Sequence, residues 1–438
     1  MSTSNDLKLV LGLEIHLHLR TNNKMFCRCP ADIYDASPNT HTCPVCLGLP
    51  GALPVPNYDA IEKAQLLGLA LHCELNKNSK FDRKHYFYPD LAKGYQISQY
   101  KEPFCIGGWI ELDNGKKMEI ERIHLEEDTA KSFHQGGKTL IDFNKSGMPL
   151  VEIVTKPVFN SVEDAAEFCK KVQTTVRFLG IGDVDMEKGQ MRLEANISLR
   201  TPEMEKRGEL PKYKVEIKNI NSFRFMEKAV LAEIERQTEI INGGGIVKQE
   251  NRGYNEATAK TVPQRDKEEA HDYRYFPEPD IPPMVFDDAH IEKLKSRMVE
   301  LPEEVVARYT KLGIPMKTAN AVVFAFGPET SKKLDSIINS GVTAEKAANT
   351  LVNKKEYQSL SVEEFISKLK SEDDKITDPE KIKEFAKSAI LKNIKAVEDY
   401  KNGSTASVEF LVGMIMRESK GKAEAEVARK ILTELLQS

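Results

Sequence analysis

A chain of 438 residues exceeds what one hydrophobic core organises, because single cores stop growing at about 250–300 residues, so two or three domains are expected. Hydrophobic residues make up 40% and charged residues 30%, with a mean hydropathy of −0.45, a soluble globular composition that excludes a membrane-embedded or disordered chain. The formal net charge of −4 excludes retention on nucleic acid by bulk charge; the stretch 291–438 is slightly basic and the rest acidic, so any polyanion contact is local and lies towards the carboxyl end.

The first predicted element is a strand over Leu9–Leu19. Leu13, Ile15, Leu17 and Leu19 share one face, while Glu14, His16 and His18 share the other. Glu14 and His16 interrupt the apolar run after Lys8, so the amino terminus does not read as a signal peptide. Four of the seven cysteines follow as C-x-C and C-x-x-C: Cys27, Cys29, Cys43 and Cys46. Two close pairs joined by a loop rich in turn-formers (Pro38, Asn39, Pro44) suit tetrahedral thiolate ligation of zinc, with reduced clustered thiols as the bland alternative. Four protein ligands leave no open position, so such a metal holds structure and performs no chemistry. Reduced thiols and no apolar run long enough to span a bilayer (the longest is near Ala321–Phe326) point to the cytoplasm.

Gly136-Gly137-Lys138-Thr139 imitates the end of a P-loop, but Ser132 replaces the first required glycine and no helix signal follows, so a hairpin turn is expected. Pro149–Val154 reads as an apolar strand interrupted by Glu152. Ser161 is a predicted N-cap for a helix carrying Val162, Ala165, Cys169, Val172, Val176 and Leu179 at helical spacing, stopped by Gly180. Cys169, Cys73 and Cys105 read as packed core residues. A strand over Gln190–Arg200 sets Arg192, Glu194, Asn196 and Ser198 opposite its apolar side, and another over Lys212–Lys218 sets Lys214, Glu216 and Lys218 opposite Tyr213, Val215 and Ile217. Such alternation favours an antiparallel sheet with one covered and one polar face. A helix over Ser222–Ile241 ends at Gly243–Gly245. Beyond about residue 290 the chain reads as helical: a helix near Asp287–Met298, short helices, a polar linker over Ser371–Asp378, and final helices broken near Gly403 and Gly421. The class is α+β followed by an all-α region, in three parts: 1–290, 291–370 and 371–438.

No GxGxxG, HExxH, GxSxG or serine-glycine-rich amidase segment is present, so the chain is not expected to hydrolyse an amide itself. What stands is a set of acids at strand positions: Glu14 beside His16, the run Glu126-Glu127-Asp128, then Glu152, Glu194 and Glu216. Hard oxygen ligands suit magnesium, which binds phosphate oxygens, and Arg192 and Lys218 on the same polar faces would complete a nucleotide-phosphate site. Any one of these acids alone reads as an ordinary surface or salt-bridged group.

At these residues the sequence resembles the GatB family, the B subunits of the aspartyl/glutamyl-tRNA amidotransferases. The matching stretches include GLEIHLHL (12–19), CPVCLGLPGALPVPN (43–57), YFYPDLAKGYQISQY (86–100), HLEEDTAK (124–131), GMPLVEIVTKP (147–157), MRLEANISLR (191–200), EIKNINSFRF (216–225), KEEAHDYRYFPEPDIPP (267–283) and FLVGMIMRESKGKA (410–423). The resemblance implies a glutamine-synthetase-like cradle with helices behind an antiparallel sheet. It implies an enzyme that uses ATP and Mg2+ to activate the side-chain carboxylate of a misacylated Glu-tRNA(Gln) or Asp-tRNA(Asn) as an acyl phosphate, which ammonia then converts to the amide. It also implies two protein partners, a glutamine amidase and a small third subunit, with ammonia arriving through a tunnel. A tail domain on the tRNA is implied too, shortened here between Phe365 and Pro379. Glu14, His16, Glu126 or Glu127, and Glu152 become the magnesium candidates. Arg192, Glu194, Asn196, Glu216 and Lys218 are expected on phosphate or substrate, and Lys93, Tyr95 and Gln96 at the tunnel exit. The chain departs from the family at His18 and at Leu193-Glu194. A non-catalytic tRNA-binding scaffold with purely structural acids is the alternative.

Overall fold

The computed structural model describes residues 7–264, 273–373, 376, 378–401 and 406–437. The amino-terminal part of the KEEAHDYRYFPEPDIPP stretch and the expected break near Gly403 lie outside these residues. The chain forms two compact units, one running to Lys311 together with Ala319–Thr330, the other formed by Leu312–Thr318 and the residues from Ser331 onward. The first unit therefore extends past residue 290.

The first unit is built on a ten-stranded sheet. Lys8–His18 is central, flanked by Pro149–Thr155 and Met191–Arg200. Lys117–Glu127 lies beyond Pro149–Thr155, with Cys105–Ile106, Glu74–Leu75 and Trp109–Glu111 outside it. Val215–Ile220, Glu250–Asn255 and Lys260–Pro263 extend the other side. Leu11, Leu13, Ile15 and Leu17 of the central strand are essentially fully buried under the helices Tyr58–Ala70, Val162–Phe178 and Phe223–Asn242. The predicted Ser161 cap is present, its hydroxyl accepting from the Asp164 amide at 3.1 Å, and the Ser222 hydroxyl caps its helix in the same way, accepting from the Phe225 amide at 3.1 Å. Cys169 is fully buried in this core, and Cys73 and Cys105 are buried as well.

The sheet is mixed rather than purely antiparallel. Val215–Ile220 and Glu250–Asn255 run parallel, because the 20-residue helix between them returns the chain to the end it left. The Val215–Ile220 strand also starts later than expected. The Leu199 amide donates to the Tyr213 hydroxyl at 3.1 Å, so a side chain occupies the place of a strand partner there. Gly136 and Gly137 form the expected two-residue hairpin turn between Lys131–Gln135 and Lys138–Asp142, both with positive φ.

An antiparallel ribbon of Phe276–Pro277, Asp82–His85 and Tyr95–Ser98 lies over the polar side of the main sheet, and residues of both line one cavity. The second unit is helical. Ile382, Leu411, Ile415 and Leu432 are fully buried where Pro379–Lys392, Ala406–Glu418 and Ala425–Gln437 meet. The expected linker begins inside a helix, since Val362–Asp373 continues past Ser371. The Ile376 amide then donates to the Lys422 carbonyl at 2.6 Å, beside the expected stop at Gly421.

Candidate active site

Strand register makes neighbours of residues far apart in sequence. His16 stands opposite Glu152 on one side and Arg192 on the other, and Glu152 stands opposite His124. Two positions along, Glu14 faces Glu194, and Asn196 faces Glu216. Directly paired residues share a face, so one polar surface collects all of them.

This surface holds two acid groups that share His16. Ligand atoms of Glu14, His16 and Glu194 lie within 4.8 Å of one another, and so do those of His16, Glu126 and Glu152. Among the described residues, His16 Nδ1 is buried with no hydrogen-bond partner. Leaving such a nitrogen unsatisfied costs roughly 1–3 kcal/mol, so the arrangement fits a ligand that supplies a positive centre. Carboxylate oxygens with one imidazole suit a divalent cation.

The buried acids are held ionised. Burial alone would raise Glu152, but His124, His16 and Lys84 together bring it well below the usual carboxylate range. Burial and Glu152 also push Glu126 up, yet His124 and Lys84 leave it lowered. His124 Nε2 sits 3.3 Å from both Glu126 Oε1 and Glu152 Oε2. Burial would lower this imidazole, but the two acids raise it to about 9, so it is an imidazolium at neutral pH. Gln96 Nε2 and Ser98 Oγ donate to the Glu126 carboxylate at 3.1 and 2.8 Å, fixing it from the covering ribbon.

At one end of the face Asp128 is a hub. Its Oδ2 meets His18 Nε2 at 2.6 Å, Lys145 Nζ at 2.7 Å and Arg192 NH2 at 3.1 Å. Burial would raise this acid, but Arg192, Lys145 and His18 hold it well below its ordinary value. At the other end Lys218 pairs with Glu216 and, at 2.6 Å, with Glu194. Burial and the neighbouring Glu194 push Glu216 up to about 7. Glu14 accepts from Asn196 Nδ2 at 3.0 Å. A cavity of about 470 Å³ opens over the face, with His16, Glu126, Arg192 and Glu194 along its floor and Lys84, Tyr86, Phe87 and Gln96 from the covering ribbon and loop.

Of the expected site residues, Glu14, His16, Glu126, Glu152, Arg192, Glu194, Asn196, Glu216 and Lys218 share this face. Glu127 does not. It points the other way, pairing with Lys93 and accepting from the Ile97 amide at 2.9 Å, and it belongs to neither acid group. Gln96 lines the cavity, whereas Lys93 is committed to Glu127 and Tyr95 lies under the Arg83 guanidinium at 4.3 Å. Sequence reasoning missed His124, named Asp128 only within its acid run and gave it no separate role, and missed Lys84 and Lys145. The parity of the strand contained the signal for the first two: Ile123, Leu125 and Glu127 fall on one side, His124, Glu126 and Asp128 on the other.

The four cysteines Cys27, Cys29, Cys43 and Cys46 converge, with all four Sγ within 4.8 Å of one another. Cys43 and Cys46 Sγ are 3.9 Å apart, against roughly 3.8 Å between sulfurs of a tetrahedral zinc site. The cluster could therefore hold a metal such as zinc. Its bonding is to the 141–147 loop rather than to Glu14 and His16: Asn39 Nδ2 donates to the Ile141 carbonyl at 3.0 Å, and Ser146 Oγ to the Cys46 carbonyl at 3.0 Å.

Known protein families match the chain over two stretches. The GatB/GatE catalytic domain matches residues 9–292, and a further domain described as the GatB domain matches 299–436. Similar proteins include the B subunit of the aspartyl/glutamyl-tRNA(Asn/Gln) amidotransferase of Thermotoga maritima, 41% identical over 479 residues covering 98% of each chain. That of Thermus thermophilus is 41% identical over 470 residues, again with 98% of each chain covered. That of Caldicellulosiruptor saccharolyticus is 38% identical over 482 residues and 99% of each chain.

Proposed function

Since the chain belongs to the GatB/GatE family, we propose that it is the subunit that amidates the amino acid of a misacylated Glu-tRNA(Gln) or Asp-tRNA(Asn) through an ATP-formed acyl phosphate. The observation that carries the reading is the buried polar face on which His16, with an unpartnered Nδ1, joins Glu14–Glu194 to Glu126–Glu152 beneath the cavity. The fold of this face is read as a glutamine-synthetase-like cradle. Residues of both acid groups would hold Mg2+, which supplies charge neutralisation on phosphate oxygens.

The chain's own residues do the rest. Arg192, anchored on Asp128, and Lys84, facing Glu126 and Glu152, present positive charge to the cavity where a triphosphate must lie. The substrate carboxylate oxygen attacks the γ-phosphorus and ADP leaves. Ammonia then attacks the acyl carbon, inorganic phosphate leaves with the carbon–oxygen bond electrons, and one proton is lost to give the amide. A bare carboxylate resists this attack because its leaving group would be an oxide. The covering aromatics Tyr86 and Phe87 limit water, which would hydrolyse the acyl phosphate. Ammonia comes from a partner glutamine amidase, assembled with a small third subunit. A reducing cytoplasm would keep the seven cysteines out of disulfides, as they are here, and leave Cys27, Cys29, Cys43 and Cys46 available to a metal.

The test is Glu152→Gln, assayed with the amidase and the small third subunit for ATP-dependent amide formation on Glu-tRNA(Gln). The expected result is at least a ~100-fold loss of rate with tRNA binding retained. A wild-type rate would show that this face is not the site, and tRNA binding without acyl-phosphate chemistry in the wild type would favour a scaffold.

A further inference from the structure

The mechanism above leaves Lys24 without a role, although it is a fully buried lysine. An ammonium has three protons, and here each finds an acceptor. Lys24 Nζ donates to the His41 carbonyl at 2.7 Å, to the Phe143 carbonyl at 3.3 Å, and to Cys46 Sγ at 3.7 Å. Two of these acceptors belong to the cysteine knuckle and the third to the loop that packs on it. A buried charge survives only with such compensation, and four thiolates around one divalent ion carry a net double negative charge.

The loop at Phe143 leads to the cavity. Two residues on, Lys145 Nζ meets Asp128 Oδ2 at 2.7 Å, and the Gly147 amide donates to the Asp128 carbonyl at 2.9 Å. Asp128 in turn holds Arg192 and His18. The rest of the loop is tied to the knuckle as well: the His41 amide donates to Asn144 Oδ1 at 2.8 Å and the Phe143 amide to Asn39 Oδ1 at 2.7 Å. The knuckle and the Asp128 hub are thus two ends of one bonded segment, with Lys24 where the knuckle meets it.

We propose that Lys24 is a positioning residue that couples metal occupancy of the cysteine knuckle to the placement of Lys145 on Asp128. The proposal rests on the knuckle binding zinc. A loaded knuckle concentrates negative charge on its sulfurs and draws the ammonium to Cys46, which aligns it for the Phe143 carbonyl and holds the 142–147 loop. An empty knuckle lacks the ion that gathers the four sulfurs beside Lys24, so the sulfur that orients the ammonium is no longer fixed and the loop loosens. Outer-shell partners of this kind typically change metal affinity about 10–100-fold.

The experiment uses the full-length protein with zinc as the probe. Chelator competition gives its zinc affinity, and backbone hydrogen exchange gives the protection of 142–147, for wild type and for Lys24→Met, which keeps the stem and removes charge and donors. The expected result is a zinc affinity lowered about 10–100-fold in the variant. Stripping zinc from wild type should speed exchange across 142–147 at least tenfold, reversed on reloading, while the central strand Lys8–His18 keeps its protection. In Lys24→Met the loop should exchange fast with or without zinc. If Lys24→Met does not fold, the wild-type comparison decides alone: unchanged loop exchange on stripping overturns the coupling. A chain that takes up no zinc overturns the knuckle reading and the inference with it. Zinc uptake at wild-type affinity in a folded Lys24→Met overturns the inference alone.

Discussion

His124 shows how single residues set the chemistry of the face. Its ring lies between Glu126 and Glu152, the carboxylates that a cation at His16 would also use. Its pKa is raised from 6.5 to about 9, so the stability it contributes is fully present below pH 6.5 and is lost as pH rises through about 9. In metal-free protein, an NMR titration of His124 should have its midpoint near 9, and thermal stability should fall over that window. Saturating magnesium should move the midpoint down, because the cation takes the charge of the same two acids. A midpoint near 6.5 without metal, or one that magnesium leaves in place, would contradict the shared-ligand reading. Much of this was legible in the chain. The alternation around Glu14 and His16 and the lone charge of Glu152 pointed to one polar face, and the parity of Ile123, Leu125 and Glu127 was sufficient to separate Glu127 from Glu126. Asp128 as a hub was not legible: its partners His18, Lys145 and Arg192 come from three separate segments, and only register and a loop crossing bring them together.

At the scale of elements, side-chain periodicity and caps located the central strands and the two long covering helices to within a residue or two. It failed where a side chain substitutes for backbone pairing. The Tyr213 hydroxyl accepts from the Leu199 amide and donates to Gln237 Oε1 at 2.9 Å, so it joins the Met191–Arg200 strand to the helix behind it. Residues 212–214 keep strand-like alternation yet do not enter the sheet. Tyr213→Phe leaves the Leu199 amide unsatisfied and should lower unfolding free energy by about 1–2 kcal/mol in urea denaturation, with no change in magnesium binding. A stability change below a few tenths of a kcal/mol would mean the hydroxyl does not replace the strand partner. The covering ribbon was beyond periodicity for a related reason. Its strands are two to four residues long, and the residue that matters, Lys84, is recognised only by the acids it faces from another sheet.

For the whole molecule, the question is what the helical second unit contributes to a site made entirely by the first. Among the described residues, the buried core behind the sheet ends at Leu294, with Met298 packed against it, while the final helices have a separate core around Ile382, Leu411, Ile415 and Leu432. Removing 376–438 should therefore leave the sheet, its acid groups and its magnesium affinity intact. The region from 291 onward is also where the net charge turns slightly positive, so on the proposed function a polyanionic substrate would gain its sequence-independent attraction there. With the partner proteins present, the truncated chain should show a KM for aminoacyl-tRNA raised about tenfold or more, with a smaller change in kcat, and a shallower dependence of KM on salt because fewer phosphates are contacted. A truncation that lowers kcat while KM and its salt slope stay put would instead assign the tail a part in forming the site, contrary to the separation of the two cores.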